Sequence, residues 1–225
     1  SSGKNTKGFK NMNIIKSTAW AFLLWSTVAG TISFRFSSLL IDAMMSKYDL
    51  MIVELVLSGG IGALLFGILL LNKHMIKKIM LAGFLAVPIG FFGAFGLAGA
   101  MDLLLSLLGV NAESLNTAGI GNNIGIIVMG MVCGAIFGAV LYGRKAIFLF
   151  TVVSGAVSFP FGLLVSLFNM NYQLRTKIAI TLSFLGPIDL NYLTIITSFG
   201  VGIGLSIGLY NMLKNRDYYA EENKF

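Results

Sequence analysis

The sequence predicts an all-α integral membrane protein that crosses the bilayer six times, with both termini in the cytoplasm. Hydrophobic residues make up 56% of its 225 residues and charged residues only 11%, against about a quarter in typical soluble domains. A chain with so few charges cannot cover a water-exposed surface, so most of its surface must face lipid. The spacing of the apolar runs and the distribution of the cations complete the argument for this fold.

Six apolar runs are each long enough to cross the hydrocarbon core as a helix, which takes about 20 residues. They lack the alternating pattern of a lipid-embedded strand. The remaining residues, 1–17 and 214–225, are predicted to be cytoplasmic tails that flank a membrane domain over 18–213. The predicted spans lie near residues 18–38, 50–71, 79–100, 121–142, 146–168 and 192–213.

The cations are concentrated on one side of these spans. Twelve of the 16 Lys and Arg residues fall in the two tails and in the loops after the second and fourth spans. Cytoplasmic loops carry such an excess, which places both termini inside, in a plasma (inner) membrane. The positive charge is thus a topology signal, with anionic lipid headgroups as a further contact, and we expect no nucleic-acid partner.

Two longer connections face the opposite side. Residues 101–120 include the apolar stretch Leu103 to Val110, and residues 169–191 include Ile178 to Leu185. Both stretches are too short to cross the membrane. We expect them to lie in the interface as amphipathic or re-entrant segments.

Small residues recur every fourth position in the second, fourth and sixth predicted spans. The groups follow one another at about 71 residues, which predicts a repeated helical hairpin. Small residues at this spacing line one helix face and let another backbone approach closely. We interpret the groups as helix-packing seams, with the alternative that they surround a transport pathway. The nine seam positions are Gly59, Ala63, Gly67, Gly130, Gly134, Gly138, Gly200, Gly204 and Gly208.

Pro88 and Pro160 fall in the middle of the third and fifth predicted spans, each between two glycines at the same spacing. A proline removes one backbone hydrogen bond and kinks a helix. We interpret the pair as static kinks. The alternative is that they mark a transport site, as paired broken helices do in some transporters.

Arg35 and Glu54 are the charged residues placed deepest in predicted spans. They lie equally far from the centre of the first hairpin turn, so they should meet at one depth. Because charges in the bilayer are costly, such residues are candidates for function. We interpret them as an ion pair that locks the hairpin, with handling of a ligand or ion as the alternative.

Asp102, Asn122 and Asn123 flank the third and fourth spans near the expected lipid boundary. Solvated helix ends explain them. The alternative is a polar outer vestibule formed together with Arg35 and Glu54. No acidic residue lies at the centre of a span, which argues against a central carboxylate that relays protons or binds sodium.

Catalytic and metal sites have no support in the sequence. Cys133 is the only cysteine and His74 the only histidine, so we expect no metal and no cofactor. Ser58, Ser154 and Ser158 lack a basic partner in the spans, and there is no phosphate-binding glycine loop. We therefore expect that the chain is not an enzyme and keep an intramembrane enzyme only as a third alternative.

Membrane transport is the predicted function, as a small permease or as the membrane subunit of a multicomponent transporter. The alternative is a non-catalytic scaffold or regulatory subunit of a larger membrane complex. Either role predicts the lipid bilayer as surroundings and other membrane subunits, or further copies of the chain, as partners. A transporter should show a polar cavity reaching halfway through the bilayer, whereas a scaffold should be packed throughout.

Overall fold

The computed structural model describes residues 4–45, 51–71, 74–109, 120–171, 173–174, 176–178 and 190–222. Within these residues the chain forms six long helices and no strand. They are α1 (Lys4–Met45), α2 (Met51–Leu69), α3 (Ile76–Leu107), α4 (Ile120–Tyr142), α5 (Arg144–Met170) and α6 (Leu190–Glu222). All except α2 contain a segment long and apolar enough to cross a membrane, as expected for an α-helical membrane protein. The described part of α2 is a shorter apolar helix, Val53–Leu69.

Three helices continue well beyond the predicted spans. α1 begins before the apolar run, α6 ends after it, and α3 continues to Leu107. The stretch from Leu103 to Leu107 is therefore the end of α3 and not a separate interfacial segment, and Leu108 and Gly109 form the turn after it. A hydropathy pattern marks the apolar part of a helix, whereas backbone hydrogen bonding continues past it. Residues 179–185 of the second expected interfacial segment lie outside the described residues.

The connection between α4 and α5 is a single residue. Gly143 has φ 79° and ψ −166°, a conformation that essentially only glycine adopts. α2 ends differently, because Leu71 takes the left-handed conformation with φ 53° and its N–H donates to the Ile68 carbonyl. Both turns reverse the chain sharply, so that consecutive helices pack side by side.

The six helices form a closed ring. Each helix packs against its neighbours in the chain, and α6 packs against α1 to complete the circle, while α4 and α6 also touch across it. Neighbouring helices are antiparallel. Trp25 of α1 donates its indole N–H to the Leu69 carbonyl at 3.0 Å, whereas Ser37, further along α1, donates to the Ser58 carbonyl at 2.7 Å.

Phenylalanine side chains fill the middle of this ring. Phe34 of α1 lies 4.5 Å from Phe199 of α6 between ring centroids, and 6.3 Å from both Phe66 of α2 and Phe137 of α4. Phe137 and Phe199 are 5.8 Å apart. All four side chains are buried. We call these four residues the aromatic cluster. Its side chains join helices that lie on different sides of the circle of six helices.

Candidate functional site

The nine small residues of the second, fourth and sixth spans all lie at contacts with another helix of the same chain. In α2 the contact is with α3. A Cβ added at Gly59 would lie 2.5 Å from the Gly83 carbonyl oxygen, and one added at Gly83 would meet the Cβ of Ala63. A Cβ added at Gly67 would lie 3.3 Å from the Cα of Ile76.

The corresponding residues of α4 pack against α5. A Cβ added at Gly130 would meet the Ser158 hydroxyl, and one added at Gly134 would meet the Phe150 carbonyl oxygen. At Gly138 it would lie 3.0 Å from the carbonyl oxygen of Ala146. The α4 glycines therefore permit contact with the α5 backbone itself.

The glycines of α6 pack against α1, the helix furthest from it in sequence. A Cβ added at Gly200 would lie 2.6 Å from the carbonyl oxygen of Gly30, and one added at Gly204 would meet the Ser26 carbonyl oxygen. At Gly208 it would lie 2.7 Å from the Ser26 hydroxyl. The three tight pairs in the ring are therefore α2–α3, α4–α5 and α6–α1.

The contact between α5 and α6 is of a different kind, because hydroxyl groups make it. Ser154 of α5 and Ser206 of α6 lie 3.3 Å apart between their Oγ atoms. One turn of α5 further on, Ser158 accepts a hydrogen bond of 3.0 Å from the Ser198 hydroxyl. All four serines are buried. We call this contact the hydroxyl seam.

These serines are the residues that sequence reasoning missed. From the sequence, Ser154 and Ser158 are candidates only as nucleophiles, and the lack of a nearby base argues against that role. In the structure each pairs with another serine. The signal is present in the sequence, since serine, threonine or glycine recurs every fourth residue from Ser154 to Ser166 and from Thr194 to Ser206.

The two prolines lie inside uninterrupted helices. Pro88 is flanked on α3 by two contacts with Cys133 of α4. The Cys133 thiol donates to the Ala86 carbonyl at 3.1 Å, and a Cβ added at Gly90 would meet the same sulfur. On α5, Pro160 follows Ser158 of the hydroxyl seam. Kinking at either proline stays a prediction.

The predicted polar vestibule is described only in part. Arg35 and Glu54 are both half-buried, and their pairing stays a prediction. Asp102 and Asn122 belong to α3 and α4, but their side chains lie outside the described part of the structure. The Asn123 Oδ1 atom is buried without a hydrogen-bond partner, and a Cβ added at Gly162 of α5 would lie 2.8 Å from it.

Exposed cations mark one end of the ring, which we call the basic end. The turns from α2 to α3 and from α4 to α5 lie at this end, together with the last described part of α6. Tyr142 and Tyr210 stack there with centroids 4.2 Å apart, and Asn211 donates to the Tyr142 hydroxyl at 3.1 Å. The exposed cations described at this end are Lys77, Lys78, Arg144, Lys145 and Lys214.

The interior of the described chain holds no metal-binding group. Among the residues the structure describes, no three His, Cys, Asp or Glu side chains come together as metal ligands would. Their buried polar side chains are all serine or threonine. The candidate site is therefore the hydroxyl seam together with the aromatic cluster beside it.

No protein-family model, curated protein or solved structure matches this chain. A proposal about its function accordingly rests on the geometry of the helices and on the chemistry of the residues they bring together.

Proposed function

We propose that all six helices cross a membrane, with both termini and the basic end on the cytoplasmic side of a plasma (inner) membrane. The support for a sixth crossing is the position of α2. It runs antiparallel to α1 between Trp25 and Ser37 and packs along α3. Both α1 and α3 are long and apolar enough to span a membrane. The contacts of α2 with α1 lie between Trp25 and Ser37, inside the α1 segment Thr18–Ile41 that is long and apolar enough to span, so α2 lies at membrane depth. The cations at the basic end supply the orientation.

Thiol labelling in intact cells tests this topology. Single cysteines at Asn5, Ala112 and Glu222, in a chain with Cys133→Ala, are exposed to a membrane-impermeant maleimide. Only the cysteine at 112 should react, because it is the only one of the three positions that lies in a predicted outward-facing loop. Reaction at 5 and 222 but not at 112 would show the opposite orientation.

The repeated hairpin is also proposed, with a repeat of about 71 residues. Its support is the register of the tight pairs. Gly59 meets Gly83 in the α2–α3 pair, and Gly130 meets Ser154 in the α4–α5 pair. Both members of the second contact lie 71 residues after their counterparts.

For function, the geometry best supports membrane transport by a small permease or by the membrane subunit of a multicomponent transporter. The observation that supports this proposal is that side chains, and not close backbone contacts, fill the middle of the ring. The tight glycine contacts lie between the members of each pair, whereas the aromatic cluster that fills the centre is made of side chains from four helices. These side chains can change rotamer, or move apart together with the helices that carry them, without breaking any tight pair. We interpret the cluster as a closed gate.

The same cluster favours the second candidate, a scaffold or regulatory subunit. Four buried phenylalanines at the centre are what a permanently packed core would contain. The two functions predict different outcomes when the cluster is made smaller. A gate should then admit solute, whereas a packed core should only lose stability.

Permeability of reconstituted vesicles separates the two functions. Vesicles holding the wild-type chain or Phe199→Ala are mixed rapidly with a high concentration of urea, glycerol or sorbitol, and their recovery of volume is followed by light scattering. Phe148→Ala is the matched control, because Phe148 is 79% exposed on the outer face of α5. Phe199→Leu is a milder second variant, and melting in detergent shows which variants are folded.

We expect the Phe199 variants to speed solute entry and Phe148→Ala to leave it unchanged. If folded Phe199 variants admit solute no faster than Phe148→Ala, the ring holds no gate and the scaffold function is the better explanation. Purification from the native source in mild detergent then identifies other membrane subunits, or shows that further copies of the chain are the only partner.

A further inference from the structure

The interface between α5 and α6 is held by weaker contacts than the three tight pairs. In each tight pair, a Cβ added at a glycine would meet a carbonyl oxygen of the partner helix. At α5–α6 the nearest approach is looser, since a Cβ added at Gly202 would lie 3.2 Å from the Cα of Ser154. The hydrogen bonds between α5 and α6 are the serine pairs of the hydroxyl seam. At the basic end, α6 is also held to the α4–α5 pair by the Asn211–Tyr142 hydrogen bond and the Tyr142–Tyr210 stack.

Hydrogen bonds between serines can be exchanged for bonds to another polar molecule. Between membrane helices each such bond contributes little to stability on average. Close backbone packing has no comparable substitute, because water or solute cannot replace the contacts that a glycine face makes. Separating the hydroxyl seam should therefore cost less than separating any of the three tight pairs.

Opening along this seam would also part the aromatic cluster. Phe34 and Phe199 belong to the α6–α1 pair and lie close together, with their centroids 4.5 Å apart. Phe137 belongs to the α4–α5 pair, and its centroid lies 5.8 Å from that of Phe199. Movement of one pair away from the other would separate these rings while each tight pair stayed intact.

The seam also has a polar continuation. Gly162 lies one turn of α5 beyond Ser158, and the unpartnered Asn123 Oδ1 atom approaches it from α4. Because α5 and α6 are antiparallel, the stripe from Ser154 to Ser166 lies against the stripe from Thr194 to Ser206. The separated helices would therefore present hydroxyl and amide groups, with none of the buried charge that an ionic solute would require.

We propose that the α6–α1 pair moves away from the α4–α5 pair along the hydroxyl seam, and that the surface uncovered there receives a small neutral solute with hydrogen-bonding groups. The identity of the solute class rests on the transport function proposed above. The movement itself does not, and it is tested by a measurement that involves no transport.

Cysteine accessibility measures the movement directly. Ser158→Cys and Ser198→Cys place thiols in the hydroxyl seam, and Ser26→Cys places one in the tight α6–α1 contact, each in a chain with Cys133→Ala. All three serines are buried. The reconstituted protein is treated with a small water-soluble methanethiosulfonate reagent, and the rate of modification is followed by mass spectrometry. Melting in detergent confirms that each variant is folded.

We expect the two seam cysteines to react faster than Ser26→Cys on the order of tenfold or more, since an open state populated at roughly 0.1–10% would expose them and not Ser26. Equal rates at all three positions would overturn the movement. The Oγ atoms of Ser154 and Ser206, 3.3 Å apart, allow a second test. Oxidising the pair Ser154→Cys and Ser206→Cys to a disulfide should slow labelling of a third cysteine at Ser198 to the rate at Ser26.

The vesicle assay tests the solute part separately. The disulfide-locked chain should admit urea, glycerol or sorbitol more slowly than the same chain after reduction. Fast seam labelling in a chain whose vesicles admit no neutral solute in either state would overturn the transport function and the solute class, while the movement would stand. If labelling is slow and the Phe199 variants still admit solute, the gate opens elsewhere and this proposal is wrong.

Discussion

Adding one methyl group at Gly134 should destabilise the protein, whereas the same change nine residues earlier should not. In Gly134→Ala the new Cβ would overlap the Phe150 carbonyl oxygen and would lie 2.8 Å from the Ser154 hydroxyl oxygen. The first of these atoms belongs to the α5 backbone and cannot rotate away. At Gly125, in the same helix, no atom lies within 4 Å of an added Cβ.

The expected magnitudes come from two opposing effects. Replacing glycine by alanine inside a helix favours the helix by about 1 kcal/mol, so Gly125→Ala should be neutral or stabilising. Overpacking against a fixed neighbour costs about 1–3 kcal/mol, so after the helical gain Gly134→Ala should destabilise the chain by up to about 2 kcal/mol. The two variants should therefore differ by about 1–3 kcal/mol in the free energy of unfolding, since the helical gain is common to both.

Unfolding in mixed detergent micelles, followed by circular dichroism, measures this difference. Gly134→Leu extends the test, because a larger side chain cannot be accommodated by a small shift. It should damage the isolated chain, since the contact lies within one molecule. If Gly134→Ala is as stable as Gly125→Ala, the close approach of α4 and α5 is incorrect. If Gly134→Leu leaves the isolated chain stable but prevents assembly with a partner, the glycine face is intermolecular.

Three further substitutions test the turns and the one predicted ion pair, each by the same unfolding measurement. Gly143→Ala should cost about 1–3 kcal/mol, because its backbone conformation is essentially restricted to glycine, and an unchanged stability would contradict that conformation. Leu71→Gly should stabilise the chain by up to about 1–2 kcal/mol, since a left-handed leucine is strained by that amount, and a loss of stability would show that the leucine side chain contributes more than its strain costs. Arg35→Ala should cost about 3–5 kcal/mol if its charge is buried with that of Glu54, and adding Glu54→Ala should restore much of this loss. A double variant as unstable as the sum of the single ones would show that the two residues are not partners.

The helices themselves were largely predictable, because long apolar runs leave few alternatives. α4 begins at Ile120 and ends at Tyr142, within one residue of the predicted span at each end. The ends of α1 and α3 were not predictable in the same way. Lys4 lies in a polar tail, and Leu107 lies in an apolar stretch that Asp102 separates from the predicted span. Hydropathy placed neither helix end, since a helix continues as long as its backbone hydrogen bonds can form.

The candidate site was less accessible to sequence reasoning. In the sequence, a serine on an apolar helix looks the same whether it is a nucleophile or a hydroxyl that packs against another helix. The search for a basic partner did not reveal that Ser154 and Ser158 pair with other serines. Their partners, Ser206 and Ser198, are 52 and 40 residues away. Only the packing of α5 against α6 brings them together. The aromatic cluster was invisible for the same reason, since nothing in the positions of 18 phenylalanines shows which four meet.

The glycine spacing identified a face on each even-numbered helix, but it carried no information about which helix would cover that face. In the first two pairs the cover is the next helix in the chain, joined through a short turn. For α6 no helix follows among the described residues, and Gly204 packs instead against Ser26 and Thr27 of α1. α1 thus takes the place that α3 and α5 occupy in the other two pairs, and its contact with α6 closes the ring of helices. It also places the hydroxyl seam, through which the α6–α1 pair contacts α5, between the last two helices of the chain. The pair that we propose to move is therefore the one whose two members are furthest apart in sequence, and its packing contacts, not a turn, hold the two helices together.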